Sequence, residues 1–205
     1  MQAADNRLSS LSRLVGFSDT VFAFASTLLV IIFPLQGQAL PHGSILTQLL
    51  ALKGSFLVYL VSFYSVGAFW LAHHRYFRYI VTFDTGLFVI NLAVLLFIAV
   101  LPFPTYLLAA DRFRWDAAAF YAVLLSLVQL LYLLLWWYAS TGHRLIAPTL
   151  AQDVITQEYV SRLLLIGVFV ISIGLALLNP FLALAVWIVG WVPAYAWQGR
   201  RRSSK

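Results

Sequence analysis

The sequence predicts an all-α integral membrane protein with six transmembrane helices in each chain. It contains six apolar stretches of about 20 residues, and a helix of that length at 1.5 Å rise per residue spans a hydrocarbon core of roughly 30 Å. Hydrophobic residues make up 62% of the 205 residues and charged residues only 10%, whereas a soluble domain carries roughly a quarter charged residues. The connections are too short to hold a soluble domain, so residues 1–205 are predicted to form a single transmembrane domain.

The apolar stretches are separated by residues that favour turns. Pro102 and Pro104 lie near the end of the third stretch. Only Asn179 and Pro180 separate the fifth stretch from the sixth, which predicts a tight helical hairpin. Glycine, proline and charged residues fill the other predicted connections, which are residues 36–43, 73–78, 111–115 and 141–158. The predicted spans are residues 15–34, 51–72, 83–108, 117–138, 160–178 and 181–197.

The distribution of basic residues predicts the orientation of the chain. With six spans both termini lie on one side, which carries ten Lys and Arg residues, and the other side carries three. Because cytoplasmic loops are enriched in Lys and Arg, we expect a multi-pass protein of the cell (inner) membrane with both termini in the cytoplasm. Four tryptophans near the predicted segment ends agree with membrane interfaces: Trp115, Trp136, Trp137 and Trp197.

The composition argues against several other classes of protein. The absence of cysteine excludes disulfides and cysteine metal sites. The net charge of +6 is scattered between apolar segments, so we expect no nucleic-acid partner, and the basic residues of the C-terminal tail resemble a membrane-surface anchor. A cleaved signal peptide is disfavoured, because the charged Asp19 lies within the start of the first apolar segment.

The first predicted helix carries two distinct faces. One face is a mostly apolar stripe at steps of three and four residues, formed by Arg13, Phe17, Thr20, Phe24, Thr27, Leu28 and Ile31. A different face holds Asp19, Ala23, Ser26 and Val30. An arginine and an aspartate so close to an apolar span are costly unless they are paired, which directs the search for function to this helix. A simpler alternative is that Ser18 or Asp19 caps the helix.

Three motifs together resemble one known family. The first is Arg13-x-x-x-Phe17-Ser18-Asp19, the second is the run of residues 69–77 (FWLAHHRYF), and the third lies within residues 91–105, from Asn-Leu to Leu-Pro-Phe-Pro-Thr. In order and spacing these motifs resemble the endosomal and lysosomal potassium channels of the transmembrane protein 175 type and their bacterial homologues. The resemblance covers the first half of the chain, and the second half matches in hydropathy.

The resemblance implies a mechanism as well as a fold. Bacterial members assemble as homotetramers around a central pore lined by the first helix, and potassium is the permeant ion. The family's pore constriction falls on Phe24, Leu28 and Ile31, with Thr27 beside them. No Gly-Tyr-Gly filter sequence occurs in this chain, so apolar rings are expected to gate the pore by dewetting. Phe24 departs from the Ile or Leu that is usual at the narrowest ring.

The resemblance also implies a polar network between helices. Its members are the signature residues Arg13, Phe17, Ser18 and Asp19 with Trp70, His73 and Asn91. A buried carboxylate needs donors, and the N–H groups of Trp70 or His73 can supply them. His73 and His74 have a simpler alternative as a pair at a helix end, and as adjacent helical residues they point about 100° apart, so one metal ion cannot easily bind both. We therefore expect no metal site and no cofactor.

Weaker polar positions and other classes of function complete the sequence analysis. Asp84 and Gln129 are expected to form hydrogen bonds between helices. No residues resemble a nucleophile with its base or paired catalytic acids, so an enzyme is not predicted. A secondary transporter, or an integral membrane enzyme or scaffold, is the alternative to a channel; a transporter typically has broken helices and charges at the midplane. The expected partners are further copies of the chain and the lipid bilayer, without a small-molecule substrate.

Overall fold

The computed structural model describes residues 2–35, 44–110 and 114–200, with side chains described for residues 10–31, 44–110 and 114–190. The regular secondary structure of the described residues is helical, apart from a single β-bridge between Ile80 and Ile146 in the connections between helices. Its α-helices are α1 (Gln2–Leu35), α2 (Ile45–Ala51), α3 (Lys53–Tyr79), α4 (Thr85–Val100), α5 (Pro102–Ala110), α6 (Trp115–Ser140), α7 (Gln152–Leu178) and α8 (Pro180–Arg200).

Five helical segments of the described chain are long and apolar enough to cross a membrane. They are Ser10–Ile31, Lys53–Tyr79, Thr85–Ala110, Trp115–His143 and Gln152–Leu178. These five segments correspond to the first five predicted spans. The sixth predicted span falls within α8, whose described side chains form a shorter apolar helix over Pro180–Gly190. The remainder of α8 lies outside the described side chains.

Two predicted connections are wrong. Residues 73–78 are part of α3, which continues to Tyr79 because Tyr76 and Phe77 remain buried while His74 and Arg78 point outward. The predicted connection over residues 141–158 is shorter, since α7 already begins at Gln152. The predicted connection over residues 36–43 lies outside the described residues, and so do residues 111–113 of the predicted connection over 111–115, whose last residue, Trp115, begins α6.

The third apolar stretch is formed by two helices. Leu101 stands between α4 and α5, and its N–H bonds to the carbonyl of Ile98 in a tighter turn. Pro102 begins α5, where its missing N–H is tolerated. The fifth and sixth stretches form the predicted hairpin, because α7 ends at Leu178 and the Asn179 side chain accepts a hydrogen bond of 2.9 Å from the Phe181 N–H.

The core of the described chain is centred on α6. Tyr132 is fully buried and donates a hydrogen bond of 2.8 Å to the Phe69 carbonyl of α3. Trp136 is also fully buried, and its Nε1–H lies 3.3 Å from the Ile155 carbonyl. The prediction that Trp136 marks a membrane interface is therefore wrong, because this ring fills the space between α6 and α7. Trp197 lies outside the described side chains.

Candidate functional site

Helix α1 packs on α3 and α4 through one narrow face. The buried residues of that face recur at steps of three and four: Leu14, Ser18, Phe22, Ala25 and Leu29. Ser18 and Asp19 lie in the interior of α1, which spans Gln2–Leu35. The alternative in which either residue caps the helix is therefore wrong.

A chain of hydrogen bonds joins α1, α4 and α3 within this packing. The Asn91 Nδ2 group donates to Ser18 Oγ at 3.1 Å, and Asn91 Oδ1 lies 2.9 Å from His73 Nε2. Because the amide oxygen only accepts, His73 Nε2 carries the proton in this arrangement. The Ser18 hydroxyl in turn donates a hydrogen bond of 2.9 Å to the Leu14 carbonyl. All three side chains are fully buried.

A second link lies one residue further along α1. Trp70 Nε1 donates to Asp19 Oδ1 at 2.8 Å, and the Trp70 ring stacks on His74 with a centroid distance of 5.6 Å. Together Ser18, Asp19, Trp70, His73 and Asn91 form what we call the α1 anchor. Two adjacent residues of α1 are held by two different helices, so the anchor fixes the rotation of α1 about its own axis.

The structure brings five of the predicted network residues together and leaves two outside. Arg13 and Phe17 are both exposed, on the side of α1 that carries the apolar stripe. In the described part of the chain, the hydrogen bonds that join the anchor residues do not involve Arg13. His73 hydrogen-bonds Asn91 rather than Asp19, so Trp70 is the donor to the carboxylate.

The predicted pore stripe lies on the part of α1 turned away from the rest of the chain. The exposed fractions are 64% for Phe24, 45% for Leu28 and 49% for Ile31. Thr27 is also exposed and donates its hydroxyl proton to the Phe24 carbonyl at 2.9 Å. Since that proton is used within the helix, the Thr27 oxygen keeps lone pairs that can face outward. Val30, on the other predicted face, is exposed as well.

A second polar cluster joins α3, α6 and α7. Arg75 Nε lies 2.8 Å from Glu158 Oε1 in an ion pair, and Arg162 donates to Gln129 Oε1 at 2.6 Å. The Arg162 guanidinium also lies over the buried rings of Tyr76 and Tyr132, at 5.4 and 5.3 Å from their centroids. We call Arg75, Gln129, Glu158 and Arg162 the α7 charge cluster.

The sequence analysis missed most of this cluster. The expectation that Gln129 bonds between helices is confirmed, whereas Arg75 and Arg162 enter the sequence analysis only among the ten basic residues on one side of the membrane. The signal was present in Glu158 and Arg162, which stand four residues apart at the start of an apolar run and therefore share one helix face. Their burial follows from the early start of α7 at Gln152, which places both residues inside the helix.

Asp84 forms the other predicted link between elements. It caps α4 by accepting from the Leu87 N–H at 2.9 Å, and it accepts from the Tyr138 hydroxyl at 2.9 Å and from Arg144 at 3.1 Å. Burial alone raises the pKa of Asp84, but these three donors outweigh it and hold the pKa below its ordinary value.

In the described residues no group of three or more His, Cys, Asp or Glu side chains is placed to hold a metal ion.

Comparison with known proteins identifies the family of this chain. Residues 13–102, which contain the α1 anchor, match the family model described as endosomal/lysosomal potassium channel TMEM175. A potassium channel of Streptomyces collinus is 36% identical over 141 residues, covering 66% of this chain and 68% of that protein. A potassium channel of Chamaesiphon minutus is 31% identical over 188 residues, covering 88% and 91%.

A solved structure agrees with these sequence matches. The crystal structure of a lysosomal potassium-selective channel TMEM175 homologue from Chamaesiphon minutus superposes with a TM-score of 0.76 at 27% identity, covering 94% of this chain and 98% of that chain. This structural match includes the second half of the chain, which contains none of the three sequence motifs. The chain therefore belongs to the TMEM175 family of ion channels.

Proposed function

We propose that this protein is a potassium-permeable cation channel in which four copies of α1 surround a central pore. The proposal is supported by the potassium channels among its relatives and by the α1 stripe, which its own chain leaves uncovered. A single helix cannot enclose a pore, and the chain holds one copy of the signature helix. A closed ring with cyclic symmetry supplies the missing walls.

The α1 anchor is the observation that carries this proposal. An ion pathway needs a wall whose side chains keep a constant direction. The anchor holds α1 by hydrogen bonds on the side opposite to the stripe, at Ser18 and Asp19. Phe24, Leu28 and Ile31 are thereby presented outward at i, i+4 and i+7, which is one line along a helix.

The chemistry of the stripe suggests how the pore gates. Four copies of each apolar residue would form hydrophobic rings, and a ring narrower than a hydrated ion expels water and leaves the ion without compensation for its lost hydration. Thr27 is the polar exception beside the rings, and its outward lone pairs can contact a partly dehydrated cation. Phe24, the most exposed of the three apolar residues, would contribute the bulkiest ring.

The proposed arrangement in the membrane has six spans, with α8 as the sixth and both termini in the cytoplasm. The hairpin at Asn179 returns α8 antiparallel to α7, which supports an even number of crossings. The basic C-terminal tail then lies at the cytoplasmic surface, on the same side as the start of α1. The inner membrane is the proposed location.

Flux measurements in proteoliposomes test the channel. We expect passive uptake of potassium that exceeds uptake of sodium and that needs no counter-substrate. Phe24→Ala should widen the ring, raise basal flux by about tenfold or more and weaken the preference for potassium, because both cations then pass with water. Val30→Ala, at an exposed apolar position on another face, should leave flux nearly unchanged.

Two results would contradict the proposed pore. If Val30→Ala alters flux while Phe24→Ala does not, a different face of α1 lines the pathway. If uptake requires an exchanged substrate, the protein is a transporter.

The tetramer is tested separately by the mass of the particle in mild detergent with added lipid. A monomer that still conducts at single-particle dilution would exclude the tetramer.

A further inference from the structure

A long groove runs between α7 and α8 on the outer side of the described chain. Its volume is about 1150 Å³, and most of its wall is apolar, including Leu164, Val168, Leu175, Leu182 and Val189. One end is polar and includes Arg75, Glu158 and Arg162 of the α7 charge cluster. We call it the α7–α8 groove. An apolar groove with one charged end is complementary to an amphiphile, which has an apolar chain and a polar head, rather than to a soluble metabolite.

The polar end of the groove contains hydrogen-bonding atoms that the protein does not satisfy. Arg162 is buried, and its Nε–H has no hydrogen-bond partner within the described part of the chain. Glu158 is buried as well, and its Oε2 likewise lacks a partner there, although Oε1 pairs with Arg75. A buried donor or acceptor left without a partner costs about 1–3 kcal/mol. The polar end of the groove therefore offers a donor, Arg162 Nε–H, and an acceptor, Glu158 Oε2, that the described part of the chain leaves without hydrogen-bond partners.

The charges around this end balance. Arg75 and Arg162 are opposed by Glu158 and by Asp153 at the rim of the groove. A ligand with net negative charge would be attracted by the two arginines but repelled by the two carboxylates. A ligand with net positive charge would be attracted by the carboxylates but repelled by the arginines. A zwitterion with separate positive and negative groups is complementary to both pairs at once.

We propose that the α7–α8 groove binds a phosphatidylethanolamine molecule from the bilayer. The phosphate accepts a hydrogen bond from Arg162 Nε–H, the primary ammonium donates to Glu158 Oε2, and one acyl chain lies along the apolar wall. Arg162 and Leu175 are 13 residues apart on α7, which at 1.5 Å rise gives about 20 Å of wall. This length exceeds the roughly 15 Å that one leaflet contributes to a 30 Å hydrocarbon core.

The choice of headgroup follows from the free acceptor at Glu158. Phosphatidylcholine carries the same charges, but its quaternary ammonium has no N–H to donate. Phosphatidylglycerol has the phosphate without a positive group, so both carboxylates would oppose it. The binding rests on the groove alone, and it is independent of ion conduction.

Native mass spectrometry of the detergent-solubilised protein tests this binding. The probes are dioleoyl-phosphatidylethanolamine, dioleoyl-phosphatidylcholine and dioleoyl-phosphatidylglycerol in equal amounts, which are distinguished by mass. We expect about tenfold greater retention of the phosphatidylethanolamine, the ratio that one charge-assisted hydrogen bond supports. Equal retention of the first two lipids would overturn the proposal, and so would preferred retention of phosphatidylglycerol.

A pair of variants on α8 places the bound lipid. Ala185→Trp puts an indole into the groove and should abolish the preference. Ile188→Trp adds the same ring at an exposed position that does not line the groove, and should preserve the preference for phosphatidylethanolamine.

Unchanged retention in Ala185→Trp would place the lipid elsewhere and overturn the proposal. Absence of retained lipid on the assembled wild-type protein would also overturn it, because a second copy of the chain would then cover the groove. If Ala185→Trp fails to fold, the wild-type comparison of the three headgroups still decides.

Discussion

The α1 anchor and the α7 charge cluster are both largely buried polar sites that join three helices, but one is built mainly from neutral groups and the other from charged groups. The hydrogen bonds between the fully buried anchor residues Ser18, Asn91 and His73 are neutral. Asp19 accepts its hydrogen bond from the partly exposed Trp70. The α7 charge cluster holds two guanidinium groups and a carboxylate that are largely buried, and Arg162 Nε–H and Glu158 Oε2 lack hydrogen-bond partners in the described part of the chain.

This difference assigns the two sites different tasks. Neutral hydrogen bonds have low desolvation costs and directional geometry, which suits a site that fixes the rotation of the helix carrying the stripe. Buried charges are costly to remove from water, and their attraction for each other often only offsets that cost. A buried charge cluster that is incompletely satisfied is therefore better explained by something it binds than by stability.

The largest effect is expected from Glu158→Ala. The substitution leaves Arg75 without its paired carboxylate in a largely buried site, and the free energy of unfolding should fall by about 3–5 kcal/mol. Thermal unfolding in detergent can be followed through the fluorescence of the seven tryptophans. The double variant Arg75→Met with Glu158→Met removes both partners and should be much less destabilised. A double variant as unstable as Glu158→Ala would mean that packing, not the stranded charge, causes the loss.

A smaller loss is expected from Asn91→Leu in the anchor. Leucine leaves the His73 N–H without its acceptor and Ser18 without its donor, which should cost about 2 kcal/mol. The same melting assay measures it. Ser18→Ala should cost less, because His73 keeps its partner in that variant. A double-mutant cycle between the two positions should show coupling, and strictly additive losses would argue against a continuous chain of hydrogen bonds.

A loss of about 1 kcal/mol is expected from Trp70→Phe, which removes the donor to Asp19 while keeping an aromatic ring. The loss is smaller than at Asn91 because both partners are partly exposed. Asp19→Asn serves as the control, since an amide oxygen still accepts from Trp70. If Asp19→Asn is the more damaging of the two, the charge of Asp19 has a partner other than Trp70.

The smallest effect is expected from Asp84→Asn, outside both clusters. Asparagine keeps the cap of α4 through its amide oxygen, so the variant reports the loss of the charged oxygen that faces Arg144 and Tyr138, worth about 0.5–1 kcal/mol and weakened by salt. Because the pKa of Asp84 is lowered in the folded state, this stability is present above the ordinary carboxylate pKa of about 4 and is lost as the pH falls below it. Melting temperatures of the two proteins should differ at pH 7, and the difference should shrink as the pH falls through the lowered pKa of Asp84. A difference that does not shrink at acidic pH would point to the shape of the side chain instead.

The sequence predicted the anchor better than it predicted the charge cluster, for a physical reason. Ser18, Asp19, Trp70, His73 and Asn91 lie in three compact motifs, so a local pattern carries the information. The members of the charge cluster are distributed along α3, α6 and α7, and a count of basic residues on each side of the membrane does not indicate that Arg75 and Arg162 are buried. Only the extension of α3 to Tyr79 and the early start of α7 at Gln152 bring them into the interior.

The sequence by itself determined the membrane class, the helical character of the chain and the motif residues of α1, because apolar length and 3.6-residue periodicity are local properties. It also gave the family, through residues that stand close together in the chain. The tertiary structure decided which donor meets Asp19, that Trp136 is interior rather than interfacial, and that α7 and α8 enclose a groove ending in paired charges. These features depend on how helices are rotated and offset against one another, and that geometry arises only when side chains distant in sequence are packed together.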